Sequence, residues 1–128
     1  MTKPLIISVI GLGYIGLPTA ALIASTGYQV LGIDSDETVV KAVNQGRVHI
    51  LEPNLSDFVN AAVSAGSLNA FNDQQPSDVY IICVPTPFSL EAGRVPQPNL
   101  NYVFDAAREI APYLKPSDLV ILESTVPV

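Results

Sequence analysis

A chain of 128 residues can bury one core but is too short for a cofactor domain and a separate substrate domain together, so a single domain is expected. Almost half the residues are hydrophobic and 14% are charged, which excludes a disordered chain and suits strands buried on both faces. The net charge of -6, with six basic residues scattered and several beside acids, argues against a nucleic-acid binder, which needs clustered Lys and Arg.

Pro4 to Ile33 holds no charged residue and follows Lys3, an arrangement that imitates a signal peptide or membrane span. Gly11, Gly13, Gly16, Gly27 and Pro18 interrupt it, whereas a spanning helix needs about 20 consecutive apolar residues with few breaks. No membrane association is expected. The single cysteine, Cys83, cannot form an internal disulfide, so nothing points to an oxidising compartment; a cytoplasmic location is expected, and no metal ion.

In chain order, Leu5 to Ile10 is a short apolar run ended by glycine and reads as a strand buried on both faces. Tyr14 to Thr26 reads as an Ala- and Leu-rich helix closed by Gly27, and Gln29 to Ile33 as a second strand. Asp34 and Ser35 offer N-cap oxygens, with Glu37 three residues after Asp34 as in a capping box, to a helix over Glu37 to Gln45. Leu55 to Ala65 is a further helix stopped by Gly66. Leu68 to Phe71 and Val79 to Val84 are strands, the second strongly apolar. Four prolines between Pro85 and Pro98 exclude regular structure there. Tyr102 to Leu114 has a helical pattern despite Pro112, and Leu119 to Glu123 is a last buried strand.

Alternating strands and helices imply an α/β fold, a doubly wound parallel sheet of the Rossmann type with strand order 3-2-1-4-5. No sequence remains for a sixth strand, so the sheet is expected to stop short of completion.

Gly11, Gly13 and Gly16 form G-x-G-x-x-G directly after the first strand and at the start of the first helix. Three glycines at this spacing are weak evidence alone; their position supplies the physics. Gly11 permits the tight turn, Gly13 lets a pyrophosphate approach the backbone, and Gly16 lets the helix pack closely on the strand. The helix amino terminus then offers N–H groups and partial positive charge to phosphates. Asp34, 18 residues after Gly16, stands where an acid would accept the adenosine ribose hydroxyls. Asp36 and Glu37 lie close by and no Lys or Arg stands between Asp34 and Lys41, so a ribose 2′-phosphate would meet repulsion; NAD is expected over NADP.

Beyond the glycines, Gly11 to Ala20 (GLGYIGLPTA), Val48 to Leu55 (VHILEPNL), Val84 to Phe88 (VPTPF) and Leu119 to Val128 (LVILESTVPV) resemble the UDP-glucose/GDP-mannose dehydrogenase family, and within it the branch acting on UDP-N-acetylmannosamine. The resemblance spans the whole chain. It implies that residues 1–128 are the NAD-binding domain of a longer enzyme whose central and UDP-binding domains lie elsewhere. It places Gly13, Tyr14 and Ile15 at the pyrophosphate, Val84, Pro85 and Thr86 along the cofactor, and Ser124 and Thr125 near the nicotinamide. Thr125 matches a threonine associated with the reacting carbon and its catalytic water. One departure is Val39 and Val40, where many members carry a basic residue.

The implied reaction oxidises the primary alcohol of a UDP-hexose to a carboxylate for polysaccharide biosynthesis, reduces two NAD, and holds the aldehyde-level carbon on a cysteine. Such a cysteine must be exposed and activated, whereas Cys83 lies in an apolar strand and reads as a core residue. The nucleophilic cysteine and its lysine are implied downstream. His49, the only histidine, sits in a loop before Glu52 and Pro53 and reads as a solvated or packing residue rather than a catalytic base. The implied partner is a UDP-sugar, in a homo-oligomer at full length, and the chain alone is expected to bind NAD without turnover. Two other readings are a non-catalytic NAD or nucleotide sensor, which has no reason to carry the ESTVP segment, and a hydroxy-acid dehydrogenase, which would not show VHILEP and VPTPF together.

Overall fold

The computed structural model describes residues 4–89, 93 and 95–125. Lys3 and the last three residues of the LVILESTVPV segment lie outside them. The elements are β1 (Ile6–Ile10), α1 (Gly16–Ser25), β2 (Gln29–Ile33), α2 (Glu37–Asn44), α3 (Leu55–Ser64), β3 (Leu68–Phe71), β4 (Val79–Ile82), β5 (Phe88–Ser89), β6 (Gln97–Pro98), α4 (Asn101–Ile110) and β7 (Leu119–Leu122).

Five strands form one parallel sheet in the order β3-β2-β1-β4-β7, the predicted 3-2-1-4-5 arrangement once the two short strands of the proline segment are set aside. β1 lies at the centre, with Ile10 in register with Ile33 on one side and Ile82 on the other. Alternation along the strands sends side chains to opposite faces. Ile7, Val9, Val30, Leu68 and Ile81 join Leu17, Ala20, Val43 and Val59 from α1, α2 and α3 in the larger core. Ile10, Ile33, Tyr80 and Ile82 meet Ala106 and Ile110 of α4 on the other face. The result is three layers with the glycine turn at the carboxyl end of the central strand.

Four expectations need correction. The N-cap of α2 is Asp36, whose carboxylate accepts the Thr38 N–H at 2.8 Å, because Asp34 and its carboxylate are engaged elsewhere. The proline segment is not devoid of structure: Phe88 and Ser89 pair antiparallel with Pro98 and Gln97, a ladder too short for proline's missing donor to prevent. The helix predicted over Tyr102 to Leu114 ends at Ile110 and tightens into a single 3₁₀ turn, Ala111–Tyr113, since Pro112 cannot donate to a helical ladder.

β7 is not buried. Among the described residues it pairs only with β4, and each residue from Leu119 to Leu122 keeps 40 to 52% of its surface exposed. An apolar run at a sheet edge without a covering layer looks the same in sequence as one inside the sheet. Among the described residues, no helix is long and apolar enough to cross a membrane.

Candidate functional site

A cleft of about 760 Å³ opens at the carboxyl ends of β1, β2, β4 and β7. Its floor is the glycine turn. The Gly11 N–H donates to the Ile33 carbonyl at 2.7 Å and the Cys83 N–H to the Ile10 carbonyl at 2.7 Å, which binds the turn to both neighbouring strands. Gly11 has φ +94°, and a Cβ there would stand 2.8 Å from the Cys83 carbonyl oxygen. At Gly13 a Cβ would meet nothing within 4 Å, so its missing side chain leaves open room above the backbone. α1 begins without a side-chain cap at Ile15, and Gly13, Tyr14 and Ile15 line the cleft. The first turn of a helix has N–H groups without intrahelical acceptors, so an uncapped end facing a cleft suits an anionic group.

Asp34 fixes one end. Its Oδ2 accepts the Leu12 N–H at 2.9 Å and its Oδ1 accepts the Asp36 N–H at 2.9 Å. A carboxylate has about four lone-pair sites, so each oxygen keeps acceptor capacity for a further hydroxyl. Asn72 donates to the Asp34 carbonyl at 3.1 Å and lines the same end.

The other end is built from the segments after β4 and β7. Val84, Pro85, Thr86, Ser124 and Thr125 all line it. The Ser124 hydroxyl donates to the Val84 carbonyl at 2.7 Å and so ties the two segments together. Its hydrogen is thus committed within the protein and its oxygen is available as an acceptor. Glu123 sits beside them: its Oε2 accepts the Cys83 thiol at 3.1 Å and its Oε1 the Thr19 hydroxyl at 3.4 Å. Cys83 lies just past β4 and is buried, as the apolar run around it suggests. Burial first, and the Glu123 carboxylate second, push its thiol far above the ordinary range, which favours the un-ionised form.

Every predicted site residue therefore converges on one cleft except Gly16, which lies beneath the lining. A Cβ on Gly16 would fall 1.6 Å from the Gly11 carbonyl oxygen, so its role is the close packing of helix on turn. His49 is exposed and outside the cleft. Sequence reasoning missed Tyr102, Asp105, Ala106 and Glu109, which line the cleft from α4, and Glu123. The first four follow the i, i+3, i+4, i+7 spacing of one helix face, a signal that was present. Glu123 carried none of its own. Among the described lining residues there is no Lys or Arg, so an anion is met by backbone and helix end instead of by side-chain cations.

The profile of the UDP-glucose/GDP-mannose dehydrogenase family, NAD binding domain, matches residues 5–128. An NDP-N-acetyl-D-galactosaminuronic acid dehydrogenase of Ralstonia nicotianae is 53% identical over 122 residues, and a UDP-N-acetyl-D-mannosamine dehydrogenase of Escherichia coli K12 is 51% identical over 122 residues. Each alignment covers 95% of this chain and 28% of the relative, so the chain spans just over a quarter of the length of these proteins. The solved UDP-N-acetyl-mannosamine dehydrogenase of Staphylococcus aureus superposes with a TM-score of 0.88 at 36% identity, over 94% of this chain and 28% of that one. That of Pyrococcus horikoshii gives 0.86 at 42% identity, over 95% and 29%.

Proposed function

Because the chain belongs to the UDP-glucose/GDP-mannose dehydrogenase family and matches its NAD-binding domain, we propose that it is the amino-terminal, cofactor-holding part of an enzyme that oxidises a UDP-hexose, UDP-N-acetylmannosamine foremost, to the uronic acid. The observation that carries this reading is the juxtaposition, in one cleft, of an uncapped helix end, an unobstructed Gly13 and the Asp34 carboxylate. In it, the amides of Gly13, Tyr14 and Ile15 take the pyrophosphate and Asp34 takes the adenosine ribose hydroxyls. Val84, Pro85 and Thr86 flank the cofactor, while Ser124 and Thr125 stand at the nicotinamide. Thr125 also positions a water or the sugar carbon. Bound NAD supplies a hydride acceptor; the residues here hold and orient it.

The nucleophilic cysteine and the lysine of the reaction belong, in this reading, to parts of the enzyme beyond residues 1–128, and the full-length protein is a cytoplasmic homo-oligomer. The buried, un-ionised Cys83 fits no nucleophilic role. A module that only senses nucleotides gives no account of the ESTVP sequence over residues 123–127.

The test is to titrate the chain with NAD by calorimetry, then to incubate it with NAD and UDP-N-acetylmannosamine while following NADH absorbance. Binding without sustained NADH production is expected. A folded sample that binds no NAD would sink the cofactor reading, and sustained turnover would sink the placement of the nucleophile outside these residues.

A further inference from the structure

The two ends of the cleft differ in chemistry, and this deepens the proposed function, resting on its reading that NAD lies along the cleft. With the adenosine ribose at Asp34 and the pyrophosphate at the glycine turn, the nicotinamide half extends toward the ends of β4 and β7, the crevice outside the carboxyl ends of the strands. There the Glu123 carboxylate is held from two sides, by the Cys83 thiol at 3.1 Å and the Thr19 hydroxyl at 3.4 Å. Both donors are uncharged. They orient the carboxylate without neutralising it, and no Lys or Arg stands among the described residues lining the cleft. Its charge therefore acts on whatever occupies this end.

The oxidised nicotinamide ring is a cation and the reduced ring is neutral, while their shapes are nearly the same. A fixed carboxylate distinguishes them by charge alone. We propose that Glu123, positioned by Cys83 and Thr19, is a specificity-determining residue that makes the site favour the oxidised over the reduced cofactor. An oxidation that consumes two NAD for each sugar must exchange spent cofactor for fresh, and weaker retention of the neutral product serves that exchange.

The experiment compares NAD⁺, NADH and ADP-ribose binding to the wild-type chain, Glu123→Gln and Glu123→Lys by calorimetry, with thermal melts to establish folding. ADP-ribose lacks the ring and reports on the rest of the site. Glu123→Gln should weaken NAD⁺ about tenfold, a typical effect of one near charge in a partly solvated site, and leave NADH and ADP-ribose essentially unchanged. Glu123→Lys should invert the preference. An unchanged NAD⁺ to NADH ratio in both variants overturns the inference, as does a parallel loss for all three ligands, which would make Glu123 a strut. Wild-type chain that binds ADP-ribose as tightly as NAD⁺ and NADH would place the ring outside the reach of Glu123. Wild-type chain that binds none of the three fails the cofactor reading itself, and the inference with it.

Discussion

A Cβ added to Gly16 would stand 1.6 Å from the carbonyl oxygen of Gly11. No rotamer relieves a backbone contact of that kind, so the turn or the helix would have to move. Gly16→Ala should destabilise the chain by more than about 3 kcal/mol, at the upper end of overpacking costs. Gly13→Ala meets nothing within 4 Å. It should leave stability within about 1 kcal/mol of wild type while weakening NAD binding about tenfold or more, because its methyl group enters the space assigned to the pyrophosphate. Urea unfolding and calorimetry on both variants separate the two effects. Equal stability losses would show that the glycines do not divide the work in this way.

Cys83 should resist a thiol reagent under native conditions and react quickly once unfolded. Its folded-state pKa lies above that of an unfolded cysteine, through burial first and Glu123 second. The sign of the linkage follows: the unfolded thiol ionises first, so the stabilising contribution is complete below about pH 8.5 and declines as pH rises beyond it. Cys83→Ala should lack that alkaline decline in urea midpoint. Rapid native labelling, or the same alkaline slope in the variant, would contradict the assignment.

Much of this arrangement was legible in the sequence because its causes are local. The G-x-G-x-x-G run after an apolar strand fixes a turn whose backbone no side chain can replace, and Asp34 follows from the length of the unit between them. The strand order follows from the alternation of short apolar runs with helices. What escaped depends on contacts distant in sequence. Nothing near Asp34 shows that its carboxylate is engaged by Leu12, 22 residues away, which leaves the capping of α2 to Asp36. Nothing near Glu123 shows that it meets Cys83 and Thr19, and the exposure of β7 depends on which neighbours the sheet supplies.

β7 should make the chain associate with itself. Among the described residues its outer edge has no partner strand, and it offers backbone groups and the apolar Leu119, Val120, Ile121 and Leu122 to a second molecule. Ile121→Lys places a charge on that edge, outside the cleft lining, and should lower association without weakening NAD binding. Sedimentation velocity over a concentration series checks this. A wild-type chain that stays monomeric throughout, or a variant that associates equally, would remove β7 as the cause.

Asp34 should decide between NAD and NADP. Its two carboxylate oxygens are fixed by the amides of Leu12 and Asp36, both at 2.9 Å, so the side chain cannot swing aside for a phosphate. A ribose offers two hydroxyl donors to the remaining lone pairs, whereas a 2′-phosphate brings added negative charge against a fixed carboxylate, with no Lys or Arg among the described residues lining the cleft to offset it. Wild-type chain should therefore bind NAD more tightly than NADP in calorimetric titration. Asp34→Ala removes the acceptor and the repulsion together, so NAD should weaken about tenfold while the difference between the cofactors narrows. The same change strands the Leu12 amide and should cost about 1 to 3 kcal/mol of stability. Tighter binding of NADP than NAD by the wild type would defeat the prediction, and so would a variant that discriminates between them as strongly as before.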